Sequence, residues 1–153
     1  GGQTPDTIIY KNLIGMYSRM IPSARNGAAW YITNDAVPQL LQLTIPIGTA
    51  GEHIPALRES DGKFTLLGLP VYFSEKMSKL GDRGDILLAN WSYYGCAIVG
   101  GINVATSEHA LFTTDSFAIR ATVYLAGAPL LESAITPYKG SLTTSAFVTL
   151  AAR

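Results

Sequence analysis

Cysteine, histidine and charge are all scarce in this chain, and each scarcity removes a class of function. One cysteine, Cys96, among 153 residues makes an intrachain disulfide impossible. Its place in the apolar run Gly95-Cys96-Ala97-Ile98-Val99 predicts a buried structural thiol rather than a reactive one. Two histidines, His53 and His109, stand far apart, so neither a Cys/His zinc pattern nor a helical His pair can form, and no metal or cofactor is expected. Charged residues make up 14% of the chain, against about 25% in an ordinary soluble domain. Eleven Lys and Arg cancel eleven Asp and Glu, and the bases are scattered singly rather than clustered. That pattern predicts no specific nucleic-acid partner, because phosphate binding needs concentrated cations. No apolar run reaches the ~20 residues of a membrane helix, and the amino terminus lacks the basic and apolar regions of a signal peptide. The expected chain is intracellular and soluble, with no membrane partner.

What the chain has in quantity is apolar and small polar surface. Hydrophobic residues reach 48%, and the length suits one domain, which at this size buries roughly 68–70% of the surface its unfolded form exposes. With few charges, the solvent face must be built from Ser, Thr, Gly, Asn, Tyr and Ala. Such a surface is readily desolvated against a partner, which suggests an assembling protein as much as a compact β-rich domain.

Thr4-Pro5-Asp6 offers an N-cap, a proline at the first helical position and an acid in the first turn, so a helix is expected to start there. Its apolar stripe is Ile9, Leu13, Met16, Tyr17 and Met20, and Pro22 ends it. Ala28 to Thr33 reads as a short buried strand, followed by a helix capped by Asn34 or Asp35 and carrying Leu40, Leu41 and Leu43. From Thr44 to Lys63 the periodicity fails under Pro46, Gly48, Gly51, Pro55 and Gly62, which predicts a long functional loop. Extended structure returns at Leu66 to Phe73. Leu80-Gly81-Asp82-Arg83-Gly84 reads as a turn into a strand at Asp85 to Ala89. Tyr94 to Val99 and Ile102 to Ala105 read as two strands joined by a Gly100-Gly101 hairpin turn. Phe117, Ile119, Ala121, Val123 and Leu125 then alternate with polar or small residues over a strand of roughly 33 Å at ~3.3 Å per residue, and that face is expected to be buried. Ala146 to Leu150 reads as a terminal strand or arm.

Few residues are arranged for chemistry. No Gly-x-Ser-x-Gly elbow is present, and Ser107-Glu108-His109 reads as a polar turn between strands rather than part of a triad. Arg83-Gly84-Asp85 matches an adhesion tripeptide, yet here the glycine serves a turn and the aspartate opens a strand. Trp91, Tyr93 and Tyr94 suit either aromatic packing beside a strand or a stacking platform for a sugar. No catalytic, cofactor-binding or metal-binding residue is assigned, and the chain is expected not to be an enzyme.

Several segments together resemble the tailed-phage major capsid protein family: Ala29-Trp30-Tyr31-Ile32-Thr33-Asn34, Pro38-Gln39-Leu40, Gly68-Leu69-Pro70-Val71, Leu80 through Asn90, Ser92-Tyr93-Tyr94, Ser133 through Gly140, and Phe147 through Arg153. The resemblance implies an α+β chain of the Hong Kong 97-type capsid fold, with a central mixed sheet flanked by helices. It implies one domain over residues 1–153, axial over about 4–113, with a long strand and tail of peripheral-domain type over about 114–153. It implies a structural subunit of a phage or prophage icosahedral capsid, found in the virion and in host cytoplasm during assembly. Its partners would be copies of itself in pentamers or hexamers. The family's upstream arm, extended loop and spine helix have no counterpart in this sequence, so this chain alone is expected to form weak rings or stay monomeric. By family position, Gly48, Thr49, Gly51, Glu52, His53, Arg58, Glu59, Asp61 and Lys63 would form a mobile loop at the capsomer axis. Some members cross-link through a Lys–Asn bond; Asp115 stands where the Asn would be, so that chemistry is not implied. The alternatives are a cellular encapsulating shell of the same fold, a small ligand-binding β-rich domain reading a sugar through Trp91 and Tyr93, and a hydrolase.

Overall fold

The computed structural model describes residues 4–47 and 52–153. They form two compact units: residues 94–130 make one, and the segments up to Tyr93 and from Leu131 make the other.

The larger unit is built on a six-stranded mixed sheet. Its strands are β1 (Ala29–Ile32), β4 (Leu57–Ser60), β5 (Lys63–Leu66), β6 (Leu69–Phe73), β7 (Ile86–Ala89) and β10 (Phe147–Thr149), in the order β10-β7-β1-β6-β5-β4. β1 and β6 run parallel and the other neighbours are antiparallel. Period-two alternation sends Trp30, Ile32, Val71, Ile86, Leu88 and Val148 to one face, where they bury against Leu13 and Met16 of helix α1 (Tyr10–Ser18) and Leu40 of helix α2 (Val37–Gln42). Both helices therefore share one face of the sheet. The buried Trp30 indole donates to the Leu66 carbonyl at 3.0 Å, which satisfies the one polar atom that burial would otherwise strand.

α1 begins at Tyr10, not at the Thr4-Pro5-Asp6 signal. Asp6 lies at φ +56°, and the backbone around it is engaged elsewhere. Gln39 of α2 accepts from the Ile8 amide and donates to the Asp6 carbonyl, both at 2.8 Å, and Arg153 donates to the Thr7 carbonyl. Those tertiary bonds outweigh a local cap. The apolar stripe persists in Leu13, Met16 and Met20, while Ile8 is buried in place of the half-exposed Ile9. Asn34 and Asp35 likewise do not cap α2: they belong to a 3₁₀ turn (Asn34–Ala36), and the helix starts after it with Pro38 in its first turn.

The expected loop from Thr44 to Lys63 is mostly strand. β2 (Thr44–Ile47) pairs with β3 (Glu52–Pro55) as a separate two-stranded sheet. β4 and β5 form a hairpin through Asp61-Gly62, at φ +52° and +70°. Positive φ at both central residues is the turn that Asp-Gly favours, so this glycine marks a hairpin tip rather than disordered loop.

The second unit is a two-stranded antiparallel ribbon of β8 (Tyr94–Leu111) and β9 (Ser116–Pro129), closed by a 3₁₀ turn (Phe112–Thr114). Gly100-Gly101 is not a hairpin turn. Both glycines have positive φ within β8, and the register slips between Val99↔Tyr124 and Asn103↔Thr122, a bulge that leaves the chain paired to the same partner strand. Ser107-Glu108-His109 lies in the strand rather than in a turn, with Ser107 opposite Ala118.

Candidate assembly interface

The ribbon has two chemically different faces. Register places Cys96, Ile98 and Val104 of β8 with Phe117, Ile119, Val123 and Leu125 of β9 on one face. Asn103, Ala105 and Ser107 lie with Ala118, Arg120 and Thr122 on the other, which also carries the exposed pair Val99 and Tyr124. The alternation in β9 is as expected from sequence, but the expected burial is absent. Phe117 is 64% exposed and Ile119 63%, with Val123 and Leu125 similarly open. Cys96 is also exposed, against the expected buried thiol. The reason is geometric: the ribbon has only two strands, so no second layer within it can bury its apolar side. An isolated two-stranded hairpin is marginally stable in water, and a contiguous apolar face of this size marks a contact surface.

Of the nine residues expected at the capsomer axis, six fall among the described residues, on β3 and on the β4–β5 hairpin. Gly48, Thr49 and Gly51 lie outside the described residues. Glu52 and His53 are in β3, in register with Ile47 and Pro46. Arg58 and Glu59 sit on β4, Asp61 at the hairpin tip and Lys63 on β5, all four exposed. Arg58 pairs with Thr65 and Lys63 with Ser60, on the sheet face away from the helices, while Glu59 pairs with Phe64 on the other.

That outward face also carries an aromatic row. Tyr31 of β1 stacks on Tyr72 of β6, with centroids 5.6 Å apart and planes at 24°. Trp91 meets Tyr31 edge-on at 5.7 Å and 71°, and Phe147 of β10 at 5.8 Å and 60°. Trp91 is placed by Asn90, a buried side chain whose amide donates to the carbonyls of Ala24 (2.8 Å) and Asn26 (2.9 Å) and whose oxygen accepts from the Ser92 amide (3.0 Å). Aromatic packing, one of the two readings of Trp91, is thus present, and it joins strands far apart in sequence.

Asp85 of the Arg83-Gly84-Asp85 tripeptide is fully buried. Its carboxylate receives Arg153 at 2.7 Å and the Gly81 amide at 3.0 Å, so it serves the fold rather than a receptor. Neither Arg153 nor Asp85 carries a local sequence signal for this pairing. Among the described residues no group of three or more His, Cys, Asp or Glu is placed to hold a metal ion, and no helix is long and apolar enough to cross a membrane.

A mixed sheet with helices on one face, joined to a long ribbon with an open apolar side, defines a structural protein of the Hong Kong 97-type capsid fold. The model of the phage capsid family matches residues 1–140, and the chain belongs to that family. A solved structure described as "Capsid of empty GTA particle computed with C5 symmetry" is similar, with a TM-score of 0.56 and 13% identity. The match covers 77% of this chain and 40% of that one, so this chain spans about 40% of the neighbour's length. No curated protein matches the sequence. Membership of the family points to a structural role and implies a place in the virion.

Proposed function

We propose that the chain is the axial and returning-strand portion of a phage or prophage capsid subunit, which builds pentamers or hexamers of an icosahedral shell by contact with copies of itself. The larger unit acts as the axial domain and the ribbon as peripheral-domain strands. Assembly takes place in host cytoplasm, and the role requires no catalytic residue. The observation that carries this reading is the exposed apolar face of the ribbon, which a protein working alone would not keep. Two strands ~4.8 Å apart make a bed that suits an α-helix about 10 Å across. The upstream spine helix of the intact subunit is the occupant that the family suggests. The β4–β5 hairpin, with Arg58 and Glu59 on β4, Asp61 at its tip and Lys63 on β5, meets its symmetry mates at the capsomer axis together with Glu52 and His53 of β3.

Electron microscopy and light scattering test the reading on two samples, the intact subunit with its upstream part and this chain alone. The intact subunit is expected to form closed, uniform particles. This chain alone is expected to give monomers or small rings at micromolar concentration, since one set of contacts cannot orient neighbours around a closed cage. An intact subunit that never forms particles would refute the shell role. Closed particles from this chain alone would refute the need for upstream elements.

A further inference from the structure

We infer that the outward face of the six-stranded sheet is a second contact surface between subunits, anchored by Tyr72 and Trp91, with another copy of this chain as its occupant. The inference rests on the shell reading; the surface borders the axial hairpin at Arg58 and Lys63 and adds the aromatic row, which neither that hairpin nor the ribbon includes.

Both helices pack on the opposite face, and on the outward face Tyr72 and Trp91 remain about half exposed. Here the row Tyr72, Tyr31, Trp91 and Phe147 runs across four strands' width, with Tyr72 54% and Trp91 49% exposed. Tyr, Trp and Arg are the residue types that dominate the energetics of protein interfaces. Rings already locked against each other lose little rotamer freedom on docking.

Charge and area choose the occupant. Toward the β4 edge the same face carries Arg58 and Lys63, and register puts no acidic residue on that side of any of the six strands. The chain as a whole is neutral, so its acids lie elsewhere on its surface and a second copy brings them to this basic rim. Two separated bases are too few for a phosphate backbone, which binds through many cations. Two half-exposed rings, Tyr72 and Trp91, make a patch much smaller than the ~800 Å² per partner of a stable stand-alone complex. A contact of that size suits a lateral joint that is repeated around a shell and is weak when single.

Acrylamide quenching of tryptophan emission tests this, because Trp30 is fully buried and Trp91 is half exposed. The difference between wild type and Trp91→Phe isolates the Trp91 signal in the intact subunit. The expected result is that Trp91 is quenched in free subunits and several-fold less quenched in assembled particles. Tyr72→Arg, which sets a third cation on the basic face, is expected to lower particle yield at least tenfold while leaving the circular dichroism spectrum and Tm of the free subunit unchanged. Particles whose Trp91 is still quenched would overturn the inference, as would wild-type yield from Tyr72→Arg. So would Trp91 shielding already present in the free intact subunit, since the subunit's own chain would then be the cover. Shielding that appears only when nucleic acid is added would make nucleic acid the occupant and overturn it as well. A wild-type subunit that forms no particles fails the shell reading itself, and this inference with it; particles with an accessible Trp91 fail the inference alone.

Discussion

Arg153 reaches across 68 positions of sequence to Asp85 and at the same time holds the Thr7 carbonyl, so one side chain ties the tail, the turn before β7 and the segment before α1. The Arg153 amide also donates to the Gly81 carbonyl at 3.0 Å. The Asp85 side chain is fully buried and that of Arg153 is 8% exposed. Removing one partner of such a pair leaves the other charge without compensation, which costs about 3–5 kcal/mol. Arg153→Ala and Asp85→Asn are each expected to destabilise by that amount in urea denaturation. The double variant should lose clearly less than the sum of the two, because each single change already breaks the pair. Additive losses would mean that the two side chains act independently.

At the scale of elements, α1 is expected to respond to substitution as its local sequence suggests, and the ribbon is not. Gly15 lies inside α1, and a Cβ there would meet nothing within 4 Å. Gly15→Ala should therefore stabilise by about 0.5–1 kcal/mol, measured as a rise in the denaturation midpoint. The sequence pattern of β9 predicts that Ile119→Asp would place a charge in a core and cost several kcal/mol. The exposed position found for Ile119 reverses this. In this chain alone the substitution is expected to cost about 1 kcal/mol or less. On the proposed reading, in which an upstream helix covers the apolar face of the ribbon in the intact subunit, it should prevent particle formation there. A large loss of Tm in the isolated chain would show that the face is already buried.

For the whole molecule, stability is expected to be uneven. The larger unit has a continuous core of Leu13, Met16, Trp30, Ile32, Leu40, Leu66, Ile86 and Leu88. The ribbon relies on its own hydrogen bonds and exposed side chains. Native-state hydrogen exchange should therefore show strong protection at β1 and β7 and amides of β8 and β9 exchanging much faster in this chain alone. Protection of the ribbon should rise in assembled particles. Equal protection of both units before assembly would argue against the ribbon being completed by a partner.

Sequence alone determined what depends on neighbours along the chain. The strands β1 and β7, the two-residue period of β9, the helical stripe through Leu13 and Met16 and the strand at residues 147–149 follow from local composition and spacing, and they were legible for that reason. The residues Arg58, Glu59, Asp61 and Lys63 were legible as a distinct segment, but Asp61-Gly62 was taken for broken periodicity when it is a tight hairpin between two strands. Tertiary structure decided the rest. Whether an apolar face is buried depends on the layer opposite it, so the same alternation buries Trp30 and Ile32 beneath the helices but leaves Phe117 and Ile119 open on a two-stranded ribbon. Cys96 is exposed for the same reason. The start of α1 was set by Gln39 and Arg153, which take up the backbone bonds that a local cap would have used. The aromatic row joins Tyr31, Tyr72, Trp91 and Phe147 only because sheet order brings β6, β1 and β10 within reach of one another, an adjacency set by strand pairing and absent from any local pattern.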